Sequence, residues 1–138
     1  YMELSLPGEL SSTHSCNPIS CAAGNAVIET MESDEFKKLI KENSSVFEEL
    51  GNVLKNKYSF IQEKSSFIGM VGAFVFDLKD KKKSIEIANE FCEMSLLEGI
   101  LVIKTGRESV KLSPPLTIKK NNIHKAFKKF DIILSSIK

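Results

Sequence analysis

A run of small polar side chains near the start of the chain has residue types that bind anions. It reads Ser11-Ser12-Thr13-His14-Ser15-Cys16-Asn17-Pro18. Asn is a favoured N-cap residue and Pro a favoured first helical residue, so the run predicts that a helix begins at Pro18. Free backbone N–H groups at a helix start, with short hydroxyls beside them, suit a phosphate or carboxylate. Most helix starts are only capped by their own side chains, so these residues leave both interpretations open.

Composition limits the classes of partner. The 138 residues suit one domain with a hydrophobic core, and 42% of them are hydrophobic. The chain has 19 Lys and Arg against 18 Asp and Glu, so it has no strong net charge that would predict a nucleic-acid or membrane partner. No apolar run approaches the roughly 20 residues that span a bilayer. Cys16, Cys21 and Cys92 are odd in number and irregular in spacing, which argues against a disulfide framework or a zinc site and favours a cytosolic protein.

Hydrophobic periodicity predicts two helices in the first part of the chain. The first runs from Pro18 to about Met31 and contains Cys21, which we interpret as a small buried residue. The second starts at Ser33-Asp34-Glu35, where a cap precedes first-turn acids. Its apolar stripe packs on the core, and its charged residues, Glu48 among them, form a solvated face.

The sequence after the second helix predicts strands and two further helices. Phe67–Leu78 is apolar almost throughout and is interpreted as the strongest strand, with Gly69 and Gly72 marking a bulge or a close backbone approach. A helix from Ser84 to Leu97 ends at Gly99. A hairpin then pairs residues 100–103 with residues 109–113, and the last helix starts near Lys120. The order predicts an α+β fold of two layers, with about three largely antiparallel strands and flanking helices.

Two strings together resemble one family. Thr13-His14-Ser15-Cys16-Asn17-Pro18, followed by Ile19-Ser20-Cys21-Ala22-Ala23, resembles the Thr-x-x-x-Asn-Pro-x-x-Cys-Ala-Ala segment of class III aminotransferases, which are pyridoxal-phosphate enzymes of fold type I. Leu112-Ser113-Pro114-Pro115-Leu116-Thr117-Ile118 resembles their Pro-Pro-Leu segment, in the family's order and at about its distance. A third string resembles the family's Arg-Gly-x-Gly strand less closely, because Gly69 matches while Ile68 and Val71 depart from it.

The resemblance implies a domain organisation and a set of site residues. Residues 18–138 are expected to form the small C-terminal domain of a fold-type I transferase, including its connecting helix, and residues 1–17 a loop from the preceding large domain. Thr13 corresponds to a threonine that binds the phosphate of pyridoxal 5'-phosphate, with Ser12 as a second hydroxyl. In the family this threonine reaches the cofactor of the other subunit, which implies a homodimer partner supplying the other half of the site.

Lys111 stands where the family commonly has an arginine that binds a substrate carboxylate. We therefore consider Lys111 a candidate substrate-binding residue, and equally an outward lysine on the second hairpin strand. His14 occupies a position that the family fills variably, where a packing or loop role is expected. His124 lies among lysines of the last helix, which predicts an exposed side chain.

The resemblance also implies that the catalytic residues of transamination belong to the large domain. Transamination needs a lysine that binds the cofactor covalently and an acidic partner for its ring nitrogen. Both belong to the large domain, and no lysine here lies in a matching motif, so no catalytic residue is assigned.

The resemblance thus implies a C-terminal fragment, inactive alone, of an aminotransferase that uses a small-molecule amino donor and an oxo-acid acceptor. The alternatives are a non-enzymatic binding or regulatory module that retains only this domain, and an unrelated α+β domain with chance strings.

Overall fold

The first described helix begins where the sequence predicts. The computed structural model describes residues 17–137, and α1 is Pro18–Glu32. The side-chain Oδ1 of Asn17 accepts hydrogen bonds from the backbone N–H of Ile19 at 2.9 Å and of Ser20 at 3.2 Å. Its Nδ2 donates to the Ser20 hydroxyl at 3.1 Å. Asn17 is therefore the N-cap, and the N–H groups of the first turn are already satisfied.

The chain divides into two compact units, and α1 lies in the first, which ends at Lys37. No residue of α1 is buried in the described structure. The prediction that Cys21 is a small buried residue is therefore wrong for the part of the chain described, where Cys21 is exposed. Small side chains permit another element to pack closely on a helix, but burial requires that such an element be in contact with it.

The second helix, α2, is Asp34–Lys57. The Ser33 hydroxyl accepts a hydrogen bond from the Phe36 N–H at 3.2 Å, which confirms Ser33 as its cap. Its buried residues recur at helical spacing: Asn43, Phe47, Gly51 and Leu54. The helix continues past Gly51 to Lys57.

A four-stranded antiparallel sheet follows, with the spatial order β1-β2-β4-β3. The strands are β1 (Ser66–Ile68), β2 (Val71–Val75), β3 (Ile103–Lys104) and β4 (Ser109–Leu112). The prediction of one strand over Phe67–Leu78 is wrong, because a hairpin turn at Gly69 and Met70 divides it into β1 and β2. Gly69 has a φ of +60°, a conformation that favours glycine. Because the residues on both sides of this turn are apolar, the hydrophobic pattern did not distinguish the turn from a continuous strand. The sheet therefore has four strands, where about three were predicted.

The other helices agree with prediction to within a turn. The helix α3 is Lys81–Leu97 and begins three residues before the predicted Ser84, because the Asp80 carboxylate accepts from the N–H groups of Lys82 and Lys83. Gly99, at a φ of +78°, follows its end, and the Ile100 N–H donates to the Ser95 carbonyl at 2.8 Å. The helix α4 is Lys120–Ser136, with its predicted apolar stripe buried.

The core of the second unit lies between one face of the sheet and the helices. Phe67 and Phe74 of the strands contact Phe47 of α2 and Phe91 of α3 edge-to-face. Phe91 in turn lies 5.3 Å, between ring centroids, from Phe130 of α4. The predicted α+β arrangement is confirmed, with helices on one face of an antiparallel sheet. Among the residues described, no helix is both long and apolar enough to cross a membrane.

Candidate functional site

The sheet face opposite the helices carries an unusual set of side chains. Because residues alternate between faces, the residues that share this outer face follow from the strand register: Ser66, Ile68, Val71, Ala73, Val75, Ile103, Ser109 and Lys111. Ile68 is 76% exposed and Ile103 is 52% exposed. A sheet face that meets only water is normally polar, so this one has the composition of a contact surface.

Lys111 is the central charge of that surface. It lies on β4, where its direct partners are Ala73 of β2 on one side and Ile103 of β3 on the other. Side chains in such cross-strand positions have Cβ atoms about 4.5–5.5 Å apart and point to the same side. The stem of Lys111 is thus flanked by two apolar side chains, while the residue as a whole is exposed.

The ammonium of Lys111 has no ion-pair partner in the described part of the chain. The ion pairs among residues 17–137 are Lys57–Asp131, Lys64–Glu108 and Lys129–Glu98, and none involves Lys111. An unpaired ammonium above an apolar sheet face can bind a carboxylate as a point charge, without the fixed fork of an arginine.

A carboxylate from α2 is hydrogen-bonded to the β1–β2 turn, at the edge of this sheet face. Glu48 is half-buried, and its Oε1 accepts a hydrogen bond from the Gly69 N–H at the β1–β2 turn, at 2.6 Å. The prediction that Glu48 belongs to a wholly solvated face is therefore wrong. Because Glu48 precedes the turn by 21 residues, no local pattern could have indicated the bond.

The helix-start site is described only in part. Asn17 occupies the N–H groups of Ile19 and Ser20, so the capping interpretation holds for this end of α1. Ser12, Thr13 and His14 lie outside the described residues, and their roles stay predictions. The structure therefore places Lys111 alone among the predicted site residues. His124 is exposed on α4, as expected.

A polar cluster joins the end of α2 to α4. The Asp131 carboxylate lies 2.7 Å from the Lys57 ammonium and accepts a hydrogen bond from the Tyr58 hydroxyl at 2.6 Å. These two hydrogen bonds, that from Lys57 being the stronger cause, lower the pKa of Asp131 below its usual range. Burial, followed by the bond to Asp131, raises the pKa of Tyr58. The cluster connects two helices on the side of the sheet away from Lys111, and we assign it to stability.

Comparison with known proteins identifies the family to which the chain is similar. Residues 1–134 match the family model described as aminotransferase class-III. The chain is 30% identical over 132 residues to an acetylornithine aminotransferase of Caldanaerobacter subterraneus subsp. tengcongensis, covering 96% of this chain and 32% of that protein. It is 28% identical over 133 residues to an ornithine aminotransferase of Bacillus cereus, covering 94% of this chain and 30% of the relative.

Solved structures agree on the fold. A lysine aminotransferase from M. tuberculosis superposes with a TM-score of 0.79 at 16% identity, over 96% of this chain and 29% of that one. The chain thus spans about 30% of the length of the curated relatives. With the family match running through both motif strings and over nearly all its residues, the chain belongs to the class III aminotransferase family.

Proposed function

We propose that the chain is the C-terminal part of an aminotransferase that uses pyridoxal 5'-phosphate to move an amino group between an amino acid or amine and a 2-oxo acid. The observation that carries the proposal is the family match over residues 1–134, which includes both strings that resemble the family's site segments. In this proposal residues 18–138 are the small domain and residues 1–17 the loop that leads into it, in a cytoplasmic homodimer.

Lys111 is proposed to bind the carboxylate of the substrate. Its ammonium is exposed on the outer sheet face and forms no ion pair with any residue of 17–137, which supports this role. The apolar cross-strand neighbours of Lys111 offer no competing charge. Glu48 acts through the hairpin turn as a positioning residue, because it fixes the strand pair that borders Lys111.

Thr13 and Ser12 are proposed to donate hydrogen bonds to the cofactor phosphate. A hydroxyl donor to a dianion forms a charge-assisted bond, which is stronger than a neutral one. The cofactor supplies the electron sink for the reaction when bound. The lysine that holds it covalently is assigned to residues beyond this chain, since no lysine here matches the family's motif.

Substitution of Thr13 in the complete protein tests the proposal. Thr13→Ala should weaken cofactor binding by roughly 1.5–3 kcal/mol, or about ten- to a hundred-fold in Kd. Ser11→Ala, which removes a hydroxyl from the same run, is the matched control and should leave Kd unchanged. Equal affinities for both variants would refute the phosphate role.

The 138-residue chain alone gives a second readout. Mixed with pyridoxal phosphate and then borohydride, it should show no single lysine carrying the reduced cofactor by mass spectrometry. Specific labelling of one lysine would overturn the assignment of the catalytic lysine to another part of the protein. Normal cofactor binding without any transaminase activity in the complete protein would favour the non-enzymatic binding module.

A further inference from the structure

A second candidate site lies on the helix side of the sheet, away from Lys111. It is a groove of about 620 Å³ between α4, the segment that follows α3 and the segment that follows β4. This volume is within the usual range for small-molecule sites, about 300–1,000 Å³. Its walls include Leu101, Pro115, Ile118 and Ala126.

Of the charged side chains at this groove, one has no ion-pair partner among residues 17–137. Lys129 and Glu98 line it but satisfy each other: the Lys129 ammonium lies 3.2 Å from the Glu98 carboxylate and donates to the Glu98 carbonyl at 2.6 Å. Lys125 also lines the groove, is exposed, and forms no ion pair with any residue of 17–137. The remaining polar side chains there, Ser113 and Asn122, are uncharged.

We propose that this groove binds a small amphiphile with one carboxylate head and an unbranched hydrocarbon chain. The hydrocarbon lies along the apolar walls, and the carboxylate pairs with the Lys125 ammonium. A neutral ligand would leave the Lys125 charge unused, and a cationic one would be repelled by it. The proposal stands whether or not the chain is part of an aminotransferase, because Lys111 is not among the residues that line the groove.

Decanoate is the probe, titrated below its micelle-forming concentration into the full 138-residue chain and measured by calorimetry. We expect saturable binding of one molecule per chain. Octanoate should bind about ten-fold more weakly, because it buries two fewer methylene groups. Decylamine has the same chain with the opposite charge and should bind at least ten-fold more weakly than decanoate.

Two matched pairs of variants localise the site. Lys125→Gln should weaken decanoate binding about five- to ten-fold, while Lys128→Gln, at another exposed lysine of α4 outside the groove, should not change it. Leu101→Ser should weaken binding about ten-fold, while Leu97→Ser should not. Leu101 is 80% exposed and Leu97 is 87% exposed, so neither substitution removes a core contact.

Three results would overturn the proposal. The first is an absence of saturable decanoate binding to a chain that circular dichroism shows to be folded. The second is equal affinity for decanoate and decylamine, which would leave Lys125 without a role. The third is an equal effect of the Lys125 and Lys128 substitutions, which would assign the binding to general surface charge.

Discussion

At the scale of single residues, Lys111 is the proposed carboxylate-binding residue, at a position where the resemblance to the family implies an arginine. An ammonium holds a carboxylate by charge but lacks the paired N–H groups that an arginine aligns with both oxygens. In the proposed role, Lys111 would hold a substrate carboxylate less rigidly, and substrates without a carboxylate would be disfavoured less. Its neighbours Ala73 and Ile103 bring no competing carboxylate.

The proposed role predicts that, in the complete protein, Lys111→Arg lowers KM for carboxylate substrates and Lys111→Ala raises it about ten-fold or more. An amine substrate without a carboxylate should show no change in either variant. Lys104→Ala is the control, because Lys104 is an exposed lysine on the adjacent strand and pairs with the inward Val110. Identical kinetics for Lys111→Arg and Lys111→Ala on both substrate types would reduce Lys111 to a surface strand residue.

Asp131 provides a residue-scale prediction about pH. Its carboxyl pKa is lowered in the fold, first by the hydrogen bond from Lys57 and then by that from Tyr58. Its contribution to stability is therefore complete above its unfolded pKa of about 3.9 and is lost as the pH falls through the lower folded value. Because 36% of its side chain is exposed, solvent screening keeps that contribution small.

Asp131→Asn should reduce the free energy of unfolding by about 1 kcal/mol at pH 7, and the difference from the parent chain should shrink as the pH falls below about 4. Urea titrations at pH 7 and pH 3 measure both quantities. Glu63→Gln is the control, since Glu63 is exposed and outside the ion pairs of the described residues. A destabilisation of equal size at both pH values would show that charge is not the cause.

At the scale of elements, two glycines allow α2 to approach the sheet. A Cβ added at Gly51 of α2 would overlap the ring of Phe67, and so would one added at Gly72 of β2. Phe67 is 6% exposed and lies between them, so the missing side chains form the slot that holds its ring. The helix tolerates the poor propensity of Gly51 because the packing of Phe67 offsets it.

Gly51→Ala and Gly72→Ala should each destabilise the fold by about 1–3 kcal/mol, the usual cost of overpacking. Gly24→Ala in α1 is the matched control, because a Cβ there meets nothing within 4 Å. That variant should gain helix content without lowering the urea midpoint. A Phe67→Leu background should reduce the penalty of both core substitutions, and equal penalties in the two backgrounds would contradict the proposed slot.

At the scale of the whole molecule, the described chain leaves apolar surface on α1 uncovered. Ile19 is 82% exposed and Val27 is 57% exposed, and Ile28 and Met31 are also exposed. In the chain alone, exposed apolar area favours self-association.

Sedimentation velocity should therefore show association that increases with concentration. The double substitution Val27→Glu and Ile28→Glu should weaken it by placing charge on this helix. Ile132→Glu is the control, since Ile132 is 69% exposed on α4 and lies in the other unit. A clean monomer that persists through concentration and dilution would count against an interaction role for α1.

The sequence by itself determined the features that depend on neighbours a few residues apart. Asn17 and Ser33 cap helices through bonds to N–H groups two or three residues away, and Gly99 ends α3 in the same local manner. The two motif strings, which lie in the family's order, were sufficient to identify that family.

Tertiary structure decided the features that depend on distant partners. The β1–β2 turn at Gly69 is held by Glu48, 21 residues earlier, whereas the continuous apolar run indicated only a bulge or a close backbone approach at Gly69. Lys111 could be identified as a candidate residue, but its neighbours Ala73 and Ile103 became known only from the strand register. Helix caps are specified by short-range hydrogen bonds, whereas the composition of a sheet face depends on which strands pair, and pairing is set by the packing of the whole core.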